Sequence, residues 1–251
     1  MNANIKEIGH LAFKLKNAPV FEDWYENTLG LKVGFTMKKN DQDYIIYYQL
    51  RRGQFIEIFP EWNDGSRWPE YDGNNREEDY SYQYATIGDG EGKLMVDPEN
   101  NKWFVNEGEK YISKVTYHVN DLKKSVDFYR NIFELEVKEC DDKKAYVTIN
   151  DYQVIELIEH PYPKNNSTHA KGQCHYALIV NDIASFAKDM EAKGIQLWHG
   201  AKTYKKPYTE PYVPVKHSEN TYNFYMQDPD DNEIEVMCYS EESFQVKYAV
   251  Y

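Results

Sequence analysis

Three times in this chain a glutamate stands between aliphatic residues at the end of a short apolar run: Glu57 in Ile56-Glu57-Ile58, Glu156 in Ile155-Glu156-Leu157 and Glu235 in Ile234-Glu235-Val236. Successive side chains of a strand alternate faces, so each carboxylate leaves the apolar face that its neighbours occupy. A carboxylate among β-formers needs a partner on that other face. The compartment there is either a metal site or a polar cavity.

Behind each acid the same elements recur, and such repeats decide the architecture. The first unit opens with alternation over Ile8–Leu15, followed by Val20, Phe21, Trp24, Tyr25 and Leu29 at helical spacing and Gly30 at the place of a helix C′ residue. Three strand candidates follow, Lys32–Met37, Tyr44–Leu50 and Gln54–Phe59. The order is βαβββ. The second unit repeats it with a strand over Tyr111–Val119, a cap at Asn120-Asp121, a helix carrying Leu122, Val126, Tyr129 and Ile132, and strands near 136–139, 145–149 and 153–158. The third has a strand at Cys174–Val180, a cap at Asn181-Asp182, a helix carrying Ile183, Phe186, Ala187 and Met190 that stops at Gly194, and strands near 196–199, 222–227 and 232–238. Val-Asn-Asp recurs in units two and three, and Gln-x-Ile-Glu in units one and two. Between units one and two, 82–87 reads as the first strand of a decayed or truncated fourth unit, with further strand candidates at 93–96 and 103–105 and no helix.

At 251 residues the chain can bury one large core or two modest ones. Its formal charge of −13 argues against nucleic acid or an anionic membrane as the main partner. The acidity is uneven, since residues 62–109 hold 12 acids against 4 bases. Cys140, Cys174 and Cys238 are an odd, unpaired count that disfavours a disulfide framework, and no apolar run is long enough to span a membrane. A cytoplasmic protein is expected. Alternation puts Cys174 and Cys238 on the apolar side, as core residues. The 23 tyrosines suit either the walls of a cavity or half-exposed sheet surfaces.

With these elements in place the chain resembles the vicinal oxygen chelate superfamily, which includes glyoxalase I, bleomycin-resistance proteins and extradiol dioxygenases. The residues that carry the resemblance are His10 with Glu57, His175 with Glu235, and the segment Asp228-Pro229-Asp230-Asp231-Asn232-Glu233-Ile234-Glu235, which is similar to the DPDGN-x-x-E ending of that family with Asp231 in place of glycine. The resemblance covers residues 5–61 and 110–240. It implies an α+β fold in which βαβββ units pair into incomplete barrel-like sheets. It also implies a concave face holding a divalent metal, with ligands from a first-strand His or Gln and a last-strand Glu of each unit, and a homodimer. Imidazole and carboxylate ligands suit Fe²⁺, Mn²⁺, Ni²⁺ or Zn²⁺, and open positions on such an ion can hold two adjacent oxygens of a substrate.

Local pairing gives an N-terminal domain, 1–109, with one intact and one degenerate unit, and a C-terminal domain, 110–251, of two paired units. The C-terminal set would then be Lys114, Glu156, His175 and Glu235. A protonated lysine cannot ligate. Either Lys114 pairs with Glu156 and leaves a metal-free polar pocket, or Glu156, His175 and Glu235 hold the ion while Lys114 turns aside, with His118 as a substitute ligand. In the N-terminal pair Gln83 would take the His/Gln position. Pairing of unit one with unit three would instead assemble His10, Glu57, His175 and Glu235, at the cost of a less local topology.

A second pattern, Val215-Lys216-His217, Phe224-Tyr225, Asp228-Pro229 and Glu235, resembles the extradiol dioxygenase signature. It implies that His217 and Tyr225 act beside the metal, as acid/base and hydrogen-bond donor. Glu156 is the third residue expected to act in catalysis, as a base that a metal can release. Residues 200–220, with Tyr204, Lys205, Lys206, Pro207, Tyr208, Pro211, Tyr212 and Pro214, read as a lid, a dimer contact or a solvated connector. The functional expectation is a metal-dependent lyase, isomerase or ring-cleaving dioxygenase acting on a small molecule with vicinal oxygens. The alternatives are a metal-free small-molecule-binding protein of the bleomycin-resistance kind and a member without present activity.

Overall fold

Strand alternation decides the layering. The computed structural model describes residues 4–16, 18–61, 67, 80–163, 174–199 and 206–249, and for 18, 19 and 174 the backbone alone. Two mixed seven-stranded sheets hold fourteen strands. The first contains β1 (Ile5–Leu15), β2 (Lys32–Lys39), β3 (Gln42–Arg51), β4 (Gln54–Pro60), β12 (Cys174–Val180), β13 (Tyr222–Gln227) and β14 (Glu233–Cys238), in the order β13-β14-β12-β1-β4-β3-β2. The second contains β5 (Tyr82–Ile87), β6 (Lys93–Val96), β7 (Lys102–Val105), β8 (Ile112–Val119), β9 (Glu136–Asp141), β10 (Lys144–Asn150) and β11 (Gln153–Glu159), in the order β6-β7-β5-β8-β11-β10-β9. The sheets are open, and the fold is α+β with βαβββ units as expected.

The pairing of those units differs from the local one. Unit one shares its sheet with unit three through the antiparallel β1–β12 pair, and unit two shares its sheet with the truncated unit through β8–β5. The sheets therefore run across residue 109 and do not follow a 1–109/110–251 division. The truncated unit has kept β5, β6 and β7 and no helix among the described residues.

One face of each sheet is apolar, and both apolar faces enter a single core together with helices α1 (Ala18–Asp23), α2 (Leu122–Asp127) and α3 (Ile183–Ala192). Among the described residues, seven of the chain's 23 tyrosines are buried there. Phe13 packs edge-on against Tyr82 and Trp103, at 5.5 and 5.2 Å between ring centres, Tyr117 meets Tyr176, and the Tyr129 and Tyr176 hydroxyls are 3.0 Å apart. Asp121 and Asp182 cap α2 and α3 by accepting from the amides of Lys124 and Ser185. The helices α1 and α2 both widen into a π-helical last turn, Trp24–Thr28 and Phe128–Ile132, which places Tyr25 and Tyr129 in the core. Gly30 leaves the first of these turns at φ +69°, a conformation that disfavours any residue with a Cβ. The strand expected at 196–199 is reduced to bridges from Trp198 to Pro207 and Tyr225. Cys238 is half-buried against the core, Cys140 is exposed, and the Cys174 side chain lies outside the described residues.

The recurring glutamine of Gln-x-Ile-Glu couples the sheets. Gln153 accepts from the Ile8 amide at 2.8 Å and donates to the Ile8 and Ile112 carbonyls at 3.1 and 2.8 Å, while Gln54 accepts from the Ile112 amide at 3.1 Å. Each glutamine on a last strand of one sheet thus fastens the first strand of the other. Both are fully buried, so their bonds have no competition from water. No helix among the described residues is long and apolar enough to cross a membrane.

Gln153→Leu removes three of these bonds and leaves buried backbone groups unsatisfied. A loss of about 2–4 kcal/mol is expected in urea unfolding. Because the sheets share one core, the loss is expected in a single transition for the whole chain. A variant in which one sheet unfolds before the other would show that the glutamines, and not the shared core, unite them.

Candidate metal centre

Alternation that sends Ile56, Ile58, Ile234 and Val236 into the core sends Glu57 and Glu235 to the other face of the first sheet, where His10 and His175 join them. All four are buried, and their ligand atoms lie within 4.8 Å of one another. Two elements bring each pair together. His10 is on β1 and Glu57 on the parallel neighbour β4, while His175 is on β12 and Glu235 on the parallel neighbour β14. Gly9 leaves room where β1 meets β12, since a Cβ there would lie 2.4 Å from Cδ1 of Ile179.

The His10 Nε2 atom is 3.0 Å from Glu57 Oε2, 3.0 Å from Glu235 Oε2 and 3.2 Å from His175 Nε2. The His175 Nε2 atom is 3.2 Å from Glu235 Oε2 and 3.7 Å from Glu57 Oε2. One imidazole N–H can donate along only one of these directions. Glu57 Oε2 is buried and has no hydrogen bond of proper geometry. Hydrogen bonding therefore does not satisfy the group, whereas a cation at its centre would. Donor atoms held about 2.1 Å from a common ion are about 3.0 Å apart at right angles and about 3.4 Å apart at tetrahedral angles, which brackets most of the observed spacings. The residues fit a divalent ion.

The outward oxygens are tethered. The Tyr47 hydroxyl donates to Glu57 Oε1 at 2.7 Å, and Asn223 Nδ2 donates to Glu235 Oε1 at 2.6 Å. Burial by itself would lower the His10 pKa, but Glu57 and Glu235 reverse this and raise it to about 10. Glu235 responds in the opposite sense: burial would raise its pKa, and the two imidazoles hold it far below the usual carboxylate range. Both shifts express one demand, for positive charge between the carboxylates.

Aromatic residues wall the site. Tyr225 stands opposite Glu235 in the sheet with its ring centre 5.6 Å from that of His175, and burial followed by Glu235 and Glu57 raises its pKa. Phe35 stacks on Tyr47 at 4.2 Å and meets Phe244 at 5.7 Å, and Arg67 lies over Tyr44 at 4.3 Å. Glu219 is held above the usual carboxylate range by burial, Glu57 and Glu235.

The sequence expectations divide accordingly. His10, Glu57, His175 and Glu235 converge as the less local pairing requires, and Tyr225 is beside them. Glu156 is not a ligand in this group; it lies on the second sheet, which removes it both as a metal ligand here and as the base of this site. His217 is half-buried in the turn formed by its amide and the Thr221 carbonyl, and is not among the converging residues. His118 packs on His160, at 4.5 Å between ring centres, away from the metal group. In the segment expected as a lid, contact or connector, Tyr208 stacks on His199 at 3.6 Å and Tyr212 is buried against Phe224, while Lys206, Pro207, Pro211, Val213 and Val215 are exposed; Tyr204 and Lys205 lie outside the described residues. Sequence reasoning missed Tyr47, Asn223 and Glu219. For Tyr47 a signal existed, because the β3–β4 hairpin register puts it directly opposite Glu57.

The second sheet repeats the layout with other residues. Registers equate Lys114 with His10, Glu156 with Glu57, Tyr84 with His175 and Phe104 with Glu235. Tyr84, not Gln83, therefore takes the His/Gln place. Glu156 accepts from Thr116 at 2.8 Å, Tyr146 at 2.9 Å and Tyr84 at 3.0 Å, and pairs with Lys114 at 3.2 Å and Lys144 at 2.5 Å. Of the two readings of Lys114, the ion pair is the one found. Five donors exhaust the acceptor capacity of a carboxylate, which leaves no lone pair for a metal.

A model of the glyoxalase/bleomycin resistance protein/dioxygenase superfamily matches residues 111–236, half of the chain. The chain belongs to this superfamily. The matched span begins in the second sheet and ends in the first. Among solved structures, glyoxalase I from Zea mays is similar at a TM-score of 0.63 and 14% identity, with 92% of each chain covered. A putative dioxygenase from Bacillus subtilis is similar at a TM-score of 0.66 and 14% identity, with 94% of this chain and 86% of that one covered. At such identities the likeness is one of fold. Members of this superfamily usually use divalent metals, and the present chain offers one buried His/Glu group for such an ion among the described residues.

Two outcomes are expected. Tyr47→Phe and Asn223→Leu each weaken divalent-metal affinity by about 10–100-fold in competition titrations with a chelator, while circular dichroism stays unchanged. For Glu156, burial would raise the pKa, and Lys144, Thr116, Lys114 and Tyr146 overcome this to hold it at about 2. Its contribution to stability is therefore complete above its ordinary value of 4.5 and is lost as pH falls towards about 2. Unfolding free energy measured across that window is expected to fall less steeply in Glu156→Gln than in the parent.

Proposed function

We propose that the protein is a metal-dependent enzyme acting on a small molecule with adjacent oxygens, by proton transfer as a lyase or isomerase. The observation that carries this reading is the convergence of two imidazoles and two carboxylates on one point, with more acceptors than protons between them. His10, Glu57, His175 and Glu235 would hold the ion. Once bound, it would act as a Lewis acid that polarises a carbonyl oxygen and lowers the acidity barrier at the neighbouring carbon. Iron, manganese, nickel and zinc all accept this donor set. Oxygen-activating iron sites typically present two histidines and one carboxylate with open positions, and the second carboxylate here favours proton transfer over dioxygen chemistry.

Within that scheme Glu57 serves as the base. Its Oε2 has no hydrogen-bond donor, while Oε1 stays anchored on Tyr47, so the carboxylate can swing about its tether to take a proton and return it. Tyr225, on the same face beside His175, is placed to donate to a developing oxyanion. Phe35, Phe59 and Tyr44 exclude water and receive the apolar part of the substrate. All four ligands come from one chain, so a dimer is not needed to complete the group.

The test begins with metal analysis of untagged protein. Near-stoichiometric divalent metal is expected, lost in both His10→Ala and His175→Ala and retained in Lys114→Ala. No metal, even after anaerobic reconstitution, would overturn the enzymatic reading and leave a ligand-binding cleft. In a screen of α-oxoaldehyde adducts and other vicinal-oxygen compounds, Glu57→Gln is expected to lower kcat by about 100-fold or more. Oxygen uptake with catechols, absent with the former compounds, would instead select the dioxygenase reading.

A further inference from the structure

The face of the second sheet that corresponds to the metal centre has exchanged its chemistry for the opposite sign. Lys114 and Lys144 both bond the single buried carboxylate of Glu156, so the trio keeps a net positive charge. Each ammonium has three N–H groups and gives one to Glu156. Both side chains are part-exposed, at 27% and 34%, so the remaining donors can reach a ligand. The surroundings are aromatic: Lys114 Nζ lies 5.4 Å from the Tyr84 ring, Lys144 Nζ lies 5.1 Å from the Tyr146 ring, and Phe104 meets Tyr84 edge-on at 4.8 Å. Leu94, opposite Phe104 in the sheet, is 50% exposed and extends the apolar floor.

Charge along the rest of the face keeps the sign. Lys102 stands beside Tyr84 and Lys138 opposite Tyr146, while Glu136 and Asp141 lie on the outer strand β9. Among the described residues this face therefore carries four lysines against three acids, in a chain of net charge −13. An anion repelled by most of the molecule meets attraction here. The ligand body must be flat or apolar, since Phe104 occupies the place where the metal centre has its second carboxylate.

We propose that this face is a second, metal-independent binding site for a small aromatic or apolar carboxylate, held by Lys114 and Lys144 against Tyr84, Tyr146 and Phe104. It is independent of the proposed catalytic function. The anion accepts from both ammoniums while Glu156 keeps them parallel, and the ring of the ligand lies on Phe104.

The probe is 4-hydroxybenzoate, titrated calorimetrically into the full chain, with benzyl alcohol and benzylamine as neutral and cationic controls. Saturable binding of the carboxylate with a Kd below about 1 mM, and none of the controls, is expected. Lys114→Gln and Lys144→Gln should each weaken it about tenfold, the loss of one charge-assisted hydrogen bond. These variants also disturb Glu156, so two others separate binding from folding. Lys144→Arg keeps the charge and should keep binding. Phe104→Glu leaves every bond to Glu156 in place, restores the acid found at the corresponding position of the first sheet, and should abolish binding. His175→Ala should have no effect. Absence of saturable binding in the parent, or binding that survives Phe104→Glu, would overturn the proposal, as would binding lost in His175→Ala.

Discussion

Two carboxylates and two imidazoles buried within 4.8 Å of each other are the constraint to which the first sheet is built. Burial of like charges at this distance is tolerable only with positive charge between them. A single protonated imidazole supplies one unit, and a divalent ion supplies two. The strands beneath must then be stiff, because relaxation by even an ångström would let water in and dissolve the demand. This explains the aromatic packing around the group, the tethers from Tyr47 and Asn223, and the shared core behind it. The second sheet solves the same problem differently, by recruiting lysines to its one acid.

Much of this was legible in the sequence, and the parts that were not have a common cause. Strand and helix positions followed from alternation, from the aspartate caps at Asp121 and Asp182, and from Gly30, because these signals are local. The faces of Glu57, Glu156 and Glu235 also followed, since a period of two leaves no freedom once the apolar neighbours are buried. The partner of each unit did not follow. A strand edge presents backbone groups that carry no sequence, so β1 has no mark that selects β12 over β5.

The repeats themselves invited the local pairing. Gln-x-Ile-Glu in units one and two marks places that are equivalent, not places that touch, and equivalence puts them in different sheets. The sequence holds one more signal. Asp97-Pro98-Glu99-Asn100-Asn101 repeats the turn of Asp228-Pro229-Asp230-Asp231-Asn232, with Asn101 and Asn232 each bonding the aspartate four residues earlier through amide and side chain. Asn100 and Asp231 adopt the same left-handed conformation, at φ 64° and 62°. That turn locates the end of the truncated unit and identifies Phe104 as the residue standing where a glutamate would be. In the second pattern, around His217, Tyr225 stands beside His175 by its place in the strand, while His217 lies outside the ligand group in the turn that also carries Glu219.

The order of the strands along the chain has a consequence for synthesis on the ribosome. Every strand of the second sheet lies between residues 82 and 159, whereas the first sheet needs β1 at one end of the chain and β14 at the other. During translation the second sheet can close while β1 to β4 still wait, with the edge of β1 unpaired until β12 emerges. The centre that joins His10 to Glu235 thus forms only after every strand of the second sheet has been made. A nascent chain cut short before β14 would carry a finished lysine-rich face and no metal group, so capture of an ion reports that the strands of both sheets have been made.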